Sequence, residues 1–400
     1  MKTDAVAAGL DESRLGRIGD HLRSRYLDSG KIAGAQVAIV RCGHVGYFES
    51  FGQQDRERSV PVGDDAIWRL YSMTKPITGV AMMTLYEQGH FQLNDAVDRW
   101  IPEWKGMTVA EDDGNGGTRI VPADRAPTIR DILSHTSGIG YGPENKDLVL
   151  GERNWLADHD LESMSKTFGE WPLRFQPGTK WLYSHGMDIA ARLVEIMSGL
   201  PYDEYLERVI FEPLGMVDTD FWVPEDKVDR FAACYARNGR KELVLLDDPT
   251  TSNYLRKPKL FNGGGGLAST TADYVRFASM LANGGELDGV RIISRKTLQL
   301  MTSNHLAGDG EMSDFALPTG YGEVGFEGTG FGLTVAVSKG PAATGVVGSV
   351  GDFMWGGAAS TTFWVDPSEE LAVVFMTQLM PSGTFNFPDQ LKTLVYGALI

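Results

Sequence analysis

Pro76 to Tyr86 reads Pro-Ile-Thr-Gly-Val-Ala-Met-Met-Thr-Leu-Tyr, a segment apolar almost all the way round. A helix with no polar face is stable only when other elements cover it, so this one is expected at the centre of the fold. Proline is tolerated only in the first helical turn, which puts the helix start near Ser72, and Gly89 is placed to stop it. The chain has the material to surround such a helix. Its 400 residues, 42% of them hydrophobic, suffice for two cores of a globular protein.

Immediately upstream stands Ser72-Met73-Thr74-Lys75. Residues i and i+3 share a helix face, so the Lys75 side chain can reach the Ser72 hydroxyl. A serine hydroxyl is a poor nucleophile at neutral pH, and a lysine helps only if burial or a nearby positive charge lowers its pKa. Ala66-Ile67-Trp68-Arg69-Leu70-Tyr71 on one side and the apolar helix on the other supply that burial. At a helix N-terminus the free N–H groups also favour developing negative charge. Acyl transfer is therefore the leading chemistry. The tetrapeptide alone is weak evidence, since about one S-x-x-K arises by chance in a chain this long. A second copy, Ser163-Met164-Ser165-Lys166, lies in a polar run with no apolar helix to bury its lysine, and is expected to be non-catalytic.

A net charge of −16 argues against nucleic acid and anionic membrane surfaces as partners, and disfavours an anionic substrate. Cys42 and Cys234 form no metal or redox motif and are expected to be buried free thiols in a reducing compartment. No H-E-x-x-H pair or Cys/His cluster suggests a metal, and no cofactor is implied. Met1 to Glu12 has no sustained apolar stretch, and nothing approaches the length of a membrane span, so a cytoplasmic location is expected.

Strand and helix signals are segregated along the chain. Leu15, Ile18, Leu22 and Tyr26 mark an amphipathic first helix. Residues 35–40 and 45–48 read as a hairpin around Cys42-Gly43-His44, and 331–337, 361–365 and 371–376 read as strands, the last two joined by the turn 366–370. A closing helix is expected over Asp389 to Ile400. Between these ends the periodicity is mostly helical, with segments over 188–197 and 202–211. Strands from both ends are expected to form one sheet with the terminal helices packed on it. Asp112 to Gly117 reads as a surface turn. Gly263-Gly264-Gly265-Gly266 lacks the Lys-Ser or Lys-Thr of a phosphate loop and points to close backbone approach near the site.

Three motifs now line up in order: Ser72-x-x-Lys75, Tyr183-Ser184-His185 after Pro177-Gly178-Thr179, and Trp355-Gly356-Gly357 before a strand. With Leu133-Ser134-His135-Thr136-Ser137-Gly138, Glu212-Pro213-Leu214-Gly215-Met216 and Gly264 to Thr270, the sequence resembles the family VIII carboxylesterases, the esterase branch similar to class C β-lactamases, from about residue 15 to the C-terminus. That resemblance implies an α+β fold, an α/β sandwich with a β-lactamase-like antiparallel sheet flanked by helices. Residues 1–71 and 261–400 would form the α/β domain and 72–260 a mostly helical one, with the active site in the cleft between. It also implies that Ser72 is the acylated nucleophile and Lys75 its base or proton partner. Tyr183 would be the second proton-transfer group, as a phenolate or sharing a proton with Lys75. The N–H groups of Ser72 and Ala358 would form the oxyanion hole, with Trp355, Gly356, Gly357 and Ala358 lining the substrate site.

Two departures bear on the substrate, expected to be a small-molecule ester. Trp355 occupies the lysine position of the Lys-Thr-Gly third motif; an indole cannot bind a carboxylate by charge but can wall an apolar pocket. Neutral esters with small or medium acyl groups are thus favoured over β-lactams, against which only weak activity is expected. His185 replaces the Asn of class C enzymes and either contacts substrate or Tyr183 or is simply packed. No G-x-S-x-G elbow occurs, which disfavours a Ser-His-Asp hydrolase; His135 is the best competing base, and a supporting turn is its simpler role. Trp68, Trp155, Trp171 and Trp181 are expected in the core. An acyltransferase using the same acyl-enzyme, a β-lactamase-like or peptidase-like hydrolase, and a non-catalytic binding protein remain as alternatives.

Overall fold

The computed structural model describes residues 1–141, 159–317 and 322–400. In chain order the elements that matter for the site are α1 (Glu12–Leu22), β1 (Gly34–Arg41), β2 (His44–Asp55), β3 (Val60–Pro61), β4 (Ile67–Arg69) and α2 (Thr74–Glu87). There follow α3 (Ile129–Leu133), α4 (Leu161–Glu170), α5 (Gly186–Ser198), β5 (Ala268–Thr270) and α6 (Thr271–Ala282). The chain closes with β6 (Thr329–Phe331), β7 (Ala336–Ser338), β8 (Phe353–Gly356), β9 (Thr362–Asp366), β10 (Leu371–Thr377) and α7 (Phe387–Tyr396).

Eight strands form one antiparallel sheet in the order β6-β7-β8-β9-β10-β1-β2-β3, so the two chain ends meet at the β10–β1 pair. Its central strands are apolar without alternation because both faces are covered. Ala35, Val37 and Ile39 of β1 face α1 and α7, together with Val373, Phe375 and Trp364. Ala38, Val40, Val374 and Phe363 face the other way, into the core built on α2, α5 and α6. A single register shift would exchange these two sets, so the packing on both faces specifies the pairing.

Every residue of α2 from Thr74 to Leu85 is buried, as its lack of a polar face requires. A short 3-10 turn, Tyr71–Met73, leads into it, and Gly89 follows it at φ +79. Some boundaries differ from the sequence reading. Residues 331–337 are not one strand: β6 and β7 are separated by a tight turn in which Gly332 N–H donates to the Val335 carbonyl at 2.8 Å and Thr334 takes φ +79. Leu333 and Val335 are apolar because that turn is buried. The last helix starts earlier, at Phe387, because Asn386 caps it and Pro388 fits its first turn, and it ends at Tyr396. Cys234 is buried, but Cys42, at φ +51, is exposed because it forms the β1–β2 turn with Gly43. The middle of the chain also carries a hairpin, Thr108–Asp112 with Thr118–Pro122, whose tip is the expected exposed turn. Among the described residues no helix is long and apolar enough to cross a membrane.

Candidate active site

Ser72 lies where β4 passes into α2. Tyr71 adopts φ +46, a left-handed value that costs a bulky residue about 1–3 kcal/mol and persists only when its surroundings fix it. The fixing contacts are visible. Leu70 N–H donates to the Leu267 carbonyl at 2.9 Å, Leu267 N–H to Thr74 Oγ1 at 3.2 Å, and the Tyr274 hydroxyl to the Met73 carbonyl at 2.9 Å. The turn carrying Ser72 is thereby tied to β5 and α6.

Lys75 Nζ is 3.2 Å from Ser72 Oγ and donates to the Gly264 carbonyl at 2.5 Å. Burial pushes the ammonium down to about 8, while the carboxylates Asp188 and Glu323 pull it up. Lys75 also sits 4.5 Å above the centroid of the Tyr183 ring. The Tyr183 side chain hydrogen-bonds to Ser72 and accepts from Trp355 Nε1 at 3.4 Å. Burial, with Tyr141 and Glu323 adding to it, holds that phenol well above its ordinary range despite the two hydrogen bonds. The environment therefore favours neutral Tyr183 over the phenolate form, and Lys75 is the group brought within reach of the neutral state at moderately alkaline pH.

The Tyr183 ring is clamped. Trp181 stacks on it at 6.1 Å, and His135 and Tyr141 meet it edge-on at 4.9 and 5.6 Å. His135 Nδ1 is 3.0 Å from Ser184 Oγ, and burial together with the Lys75 charge keeps its imidazole well below the usual range. A neutral histidine packed under Tyr183 is a support, not a rival base. Its backbone has the same role: the His135 carbonyl accepts from Leu182 N–H at 2.9 Å.

The third motif is on β8. Trp355 is fully buried and tilted against Tyr183 at 5.5 Å. Gly357 N–H donates to the Thr361 carbonyl at 2.8 Å, and a Cβ at Gly357 would fall 2.2 Å from the Leu70 carbonyl oxygen. Only glycine allows this approach, which packs the turn carrying half-buried Ala358 against Leu70, two residues before Ser72. Gly356 ends the strand beside Glu323, whose Cβ lies 3.3 Å from where a Gly356 Cβ would be.

The structure thus brings Ser72, Lys75, Tyr183 and Trp355 together, and excludes the second S-x-x-K pair. Ser163 closes a capping box with Asp160 at the start of α4, and Lys166 is exposed, pairing with Glu162 at 2.6 Å. His185 is buried, with its Nδ1 2.6 Å from Asp188 Oδ2. Asp188 and Glu323 escaped the sequence reading. Asp188 accepts from Gly264 N–H at 3.0 Å, so it also holds the loop whose carbonyl receives Lys75. Its signal in the sequence was an acid in the first turn of the otherwise apolar segment Gly186 to Ala191. Trp68 and Trp181 are core residues, Trp171 is half-buried against Phe168, and Trp155 lies outside the described residues. Among the described residues no group of side chains could hold a metal ion.

Comparison with known proteins agrees with this geometry. The Beta-lactamase family model matches residues 20–396. Esterase EstB of Burkholderia gladioli is 29% identical over 402 residues, covering 95% of this chain and 94% of its own. Monacolin J acid methylbutanoyltransferase of Aspergillus terreus is 30% identical over 293 residues, covering 69% and 68%. Among solved structures, EstCE1, described as a hydrolase with promiscuous acyltransferase activity, superposes with a TM-score of 0.78 at 25% identity over 96% of this chain and 99% of its own. A match of this extent, on a chain whose three motifs converge, has one meaning: the protein belongs to the β-lactamase family.

Proposed function

We propose that the protein is a serine carboxylesterase of the family VIII type that hydrolyses neutral esters of small or medium acyl groups through an acyl-Ser72 intermediate. The observation that carries this reading is the convergence of Ser72, Lys75 and Tyr183 beside Trp355, a nucleophile and two proton carriers at a position where the indole provides no charge for a substrate carboxylate. In acylation Ser72 Oγ attacks the ester carbonyl while its proton passes to neutral Lys75 Nζ. The N–H groups of Ser72 and Ala358 receive the oxyanion; losing one such donor typically costs about 3–4 kcal/mol of transition-state stabilisation. The Tyr183 hydroxyl protonates the departing alkoxide, and the Lys75 ammonium then returns a proton to Tyr183. Water enters by the reverse route and frees Ser72.

The eight-stranded sheet draws its strands only from residues 34–61 and 329–377, which supports an α/β domain from residues 1–71 and 261–400 beside a mostly helical domain from 72–260, with this site in the cleft between them. The acidic chain acts as a cytoplasmic protein on small molecules, without cofactor, nucleic acid or membrane. A slow phosphonate should add its mass to Ser72 stoichiometrically, and Ser72→Ala should abolish ester turnover; normal turnover by that variant would sink the reading. The names of two relatives, a methylbutanoyltransferase and a hydrolase with acyltransferase activity, favour a second reading in which an alcohol replaces water. Partition of the acyl group between water and added alcohols separates them, exclusive hydrolysis eliminating the transferase.

A further inference from the structure

Trp355 has a polar atom in a place where packing alone does not need one. The side chain is fully buried, and its Nε1–H is directed at the Tyr183 oxygen, 3.4 Å away. An indole N–H is a donor and nothing else, so the Tyr183 oxygen accepts at this contact. A phenol has one proton of its own to give, and since the indole N–H cannot accept it, that proton is left for the reacting side of the ring, where Ser72 lies. Neither ring is free to turn away. Tyr183 is held between Trp181 and His135, and Phe331 meets the Trp355 indole edge-on at 5.3 Å. The Trp355 backbone is equally fixed, paired with Phe363 across the sheet while its carbonyl accepts from Thr362 Oγ1 at 3.2 Å.

We propose that Trp355 is a positioning residue of the proton relay, whose indole N–H turns the Tyr183 hydroxyl toward Ser72 and the departing alkoxide. It supplies at the third-motif position the hydrogen-bond donor that a lysine would also supply, without the lysine's charge. On the proposed reading the relay is kept while no charge is offered to a substrate carboxylate. This proposal rests on the acyl-Ser72 reading and specifies one step of it. In that step the bond from Ser72 Oγ to the acyl carbon forms and the bond from the acyl carbon to the alkoxy oxygen breaks. The Ser72 proton goes to Lys75 and the Tyr183 proton to the alkoxide, giving a neutral alcohol. The charge left on the Tyr183 oxygen is what the indole N–H stabilises, until Lys75 returns the proton.

The contribution should therefore scale with the leaving group's need for a proton. We would compare kcat/KM on two esters of one acyl group: the ethyl ester, whose alkoxide needs the Tyr183 proton, and the p-nitrophenyl ester, whose phenolate leaves without it. Trp355→Phe should lower kcat/KM about 10–100-fold on the ethyl ester and less than about 3-fold on the p-nitrophenyl ester, a fraction of what a general acid contributes. A wall without this role would lose the same factor on both, and that result overturns the proposal. Replacement of the indole by benzothienylalanine, which keeps the shape and has sulfur in place of N–H, gives the same discrimination should the phenylalanine variant fail to fold. Phosphonate labelling of Ser72 accompanies both measurements. Absence of label in the wild-type enzyme would remove the acyl-Ser72 reading itself, whereas full labelling with equal losses on the two esters would remove only the role of Trp355.

Discussion

Lys75 holds the balance of the site at the scale of single residues. Its Nζ is wrapped by one hydroxyl, one carbonyl and an aromatic face, none of which repays the hydration lost on burial, so its proton is held less tightly than in water. With the group lowered to about 8, the amine is mostly protonated at pH 7 and loses its proton as pH rises. We expect kcat/KM to climb roughly tenfold per pH unit below that value and to level off above it. Asp188 and Glu323 are the carboxylates that oppose the effect of burial. Asp188→Asn removes one of them while retaining an oxygen for Gly264 N–H, so the lysine is lowered further and the rise in kcat/KM should move to lower pH. A profile that moved upward, or stayed where it was, would show that Lys75 is not the group that titrates.

At the scale of elements, α2 and the glycine run facing it form one device. Thr78 Oγ1 donates to the Gly263 carbonyl at 2.7 Å and Lys75 to that of Gly264, so two successive turns of α2 hold two successive peptides. The close approach depends on missing side chains: a Cβ on Gly263 would lie 2.6 Å from the Met187 carbonyl oxygen and 2.8 Å from the Ala191 Cβ, both in α5. Gly263→Ala must therefore shift the loop, and with it the Gly264 carbonyl. A misplacement of about 1 Å near catalytic groups costs on the order of 10²-fold. We expect that loss in kcat/KM with the acylated residue unchanged; full activity would show that the carbonyl does not orient Lys75. The apolar helix and the glycine run were both legible in the sequence because their physics is local, a periodicity in one and a loss of side chains in the other. Asp188 and Glu323 were not, because a buried acid has meaning only through residues that the fold brings to it from elsewhere in the chain. The break between β6 and β7 was hidden for a related reason: a buried turn is as apolar as a buried strand.

The whole molecule is organised by a sheet that separates two cores, one carrying the site and one that does not touch it. Leu391 of α7 belongs to the second, packed in the cluster of Val37, Trp364 and Phe375 and 1% exposed. Met82 of α2 belongs to the first, seven residues beyond Lys75 and thus on nearly the same helix face, and is fully buried. Truncating either to alanine removes similar apolar volume and leaves a cavity, at a cost of about 2–5 kcal/mol. Cavities relax locally because packed interiors transmit strain through direct neighbours, so the two losses should differ in reach. Leu391→Ala is expected to lower the melting temperature while leaving kcat/KM at 25 °C within about 2-fold, since sites without shared contacts behave independently. Met82→Ala should lower both, because the helix that settles into its cavity carries Lys75. Calorimetry and ester turnover on the same two preparations test this. Equal effects on activity would mean that the sheet does not insulate the site from the helices formed by the ends of the chain.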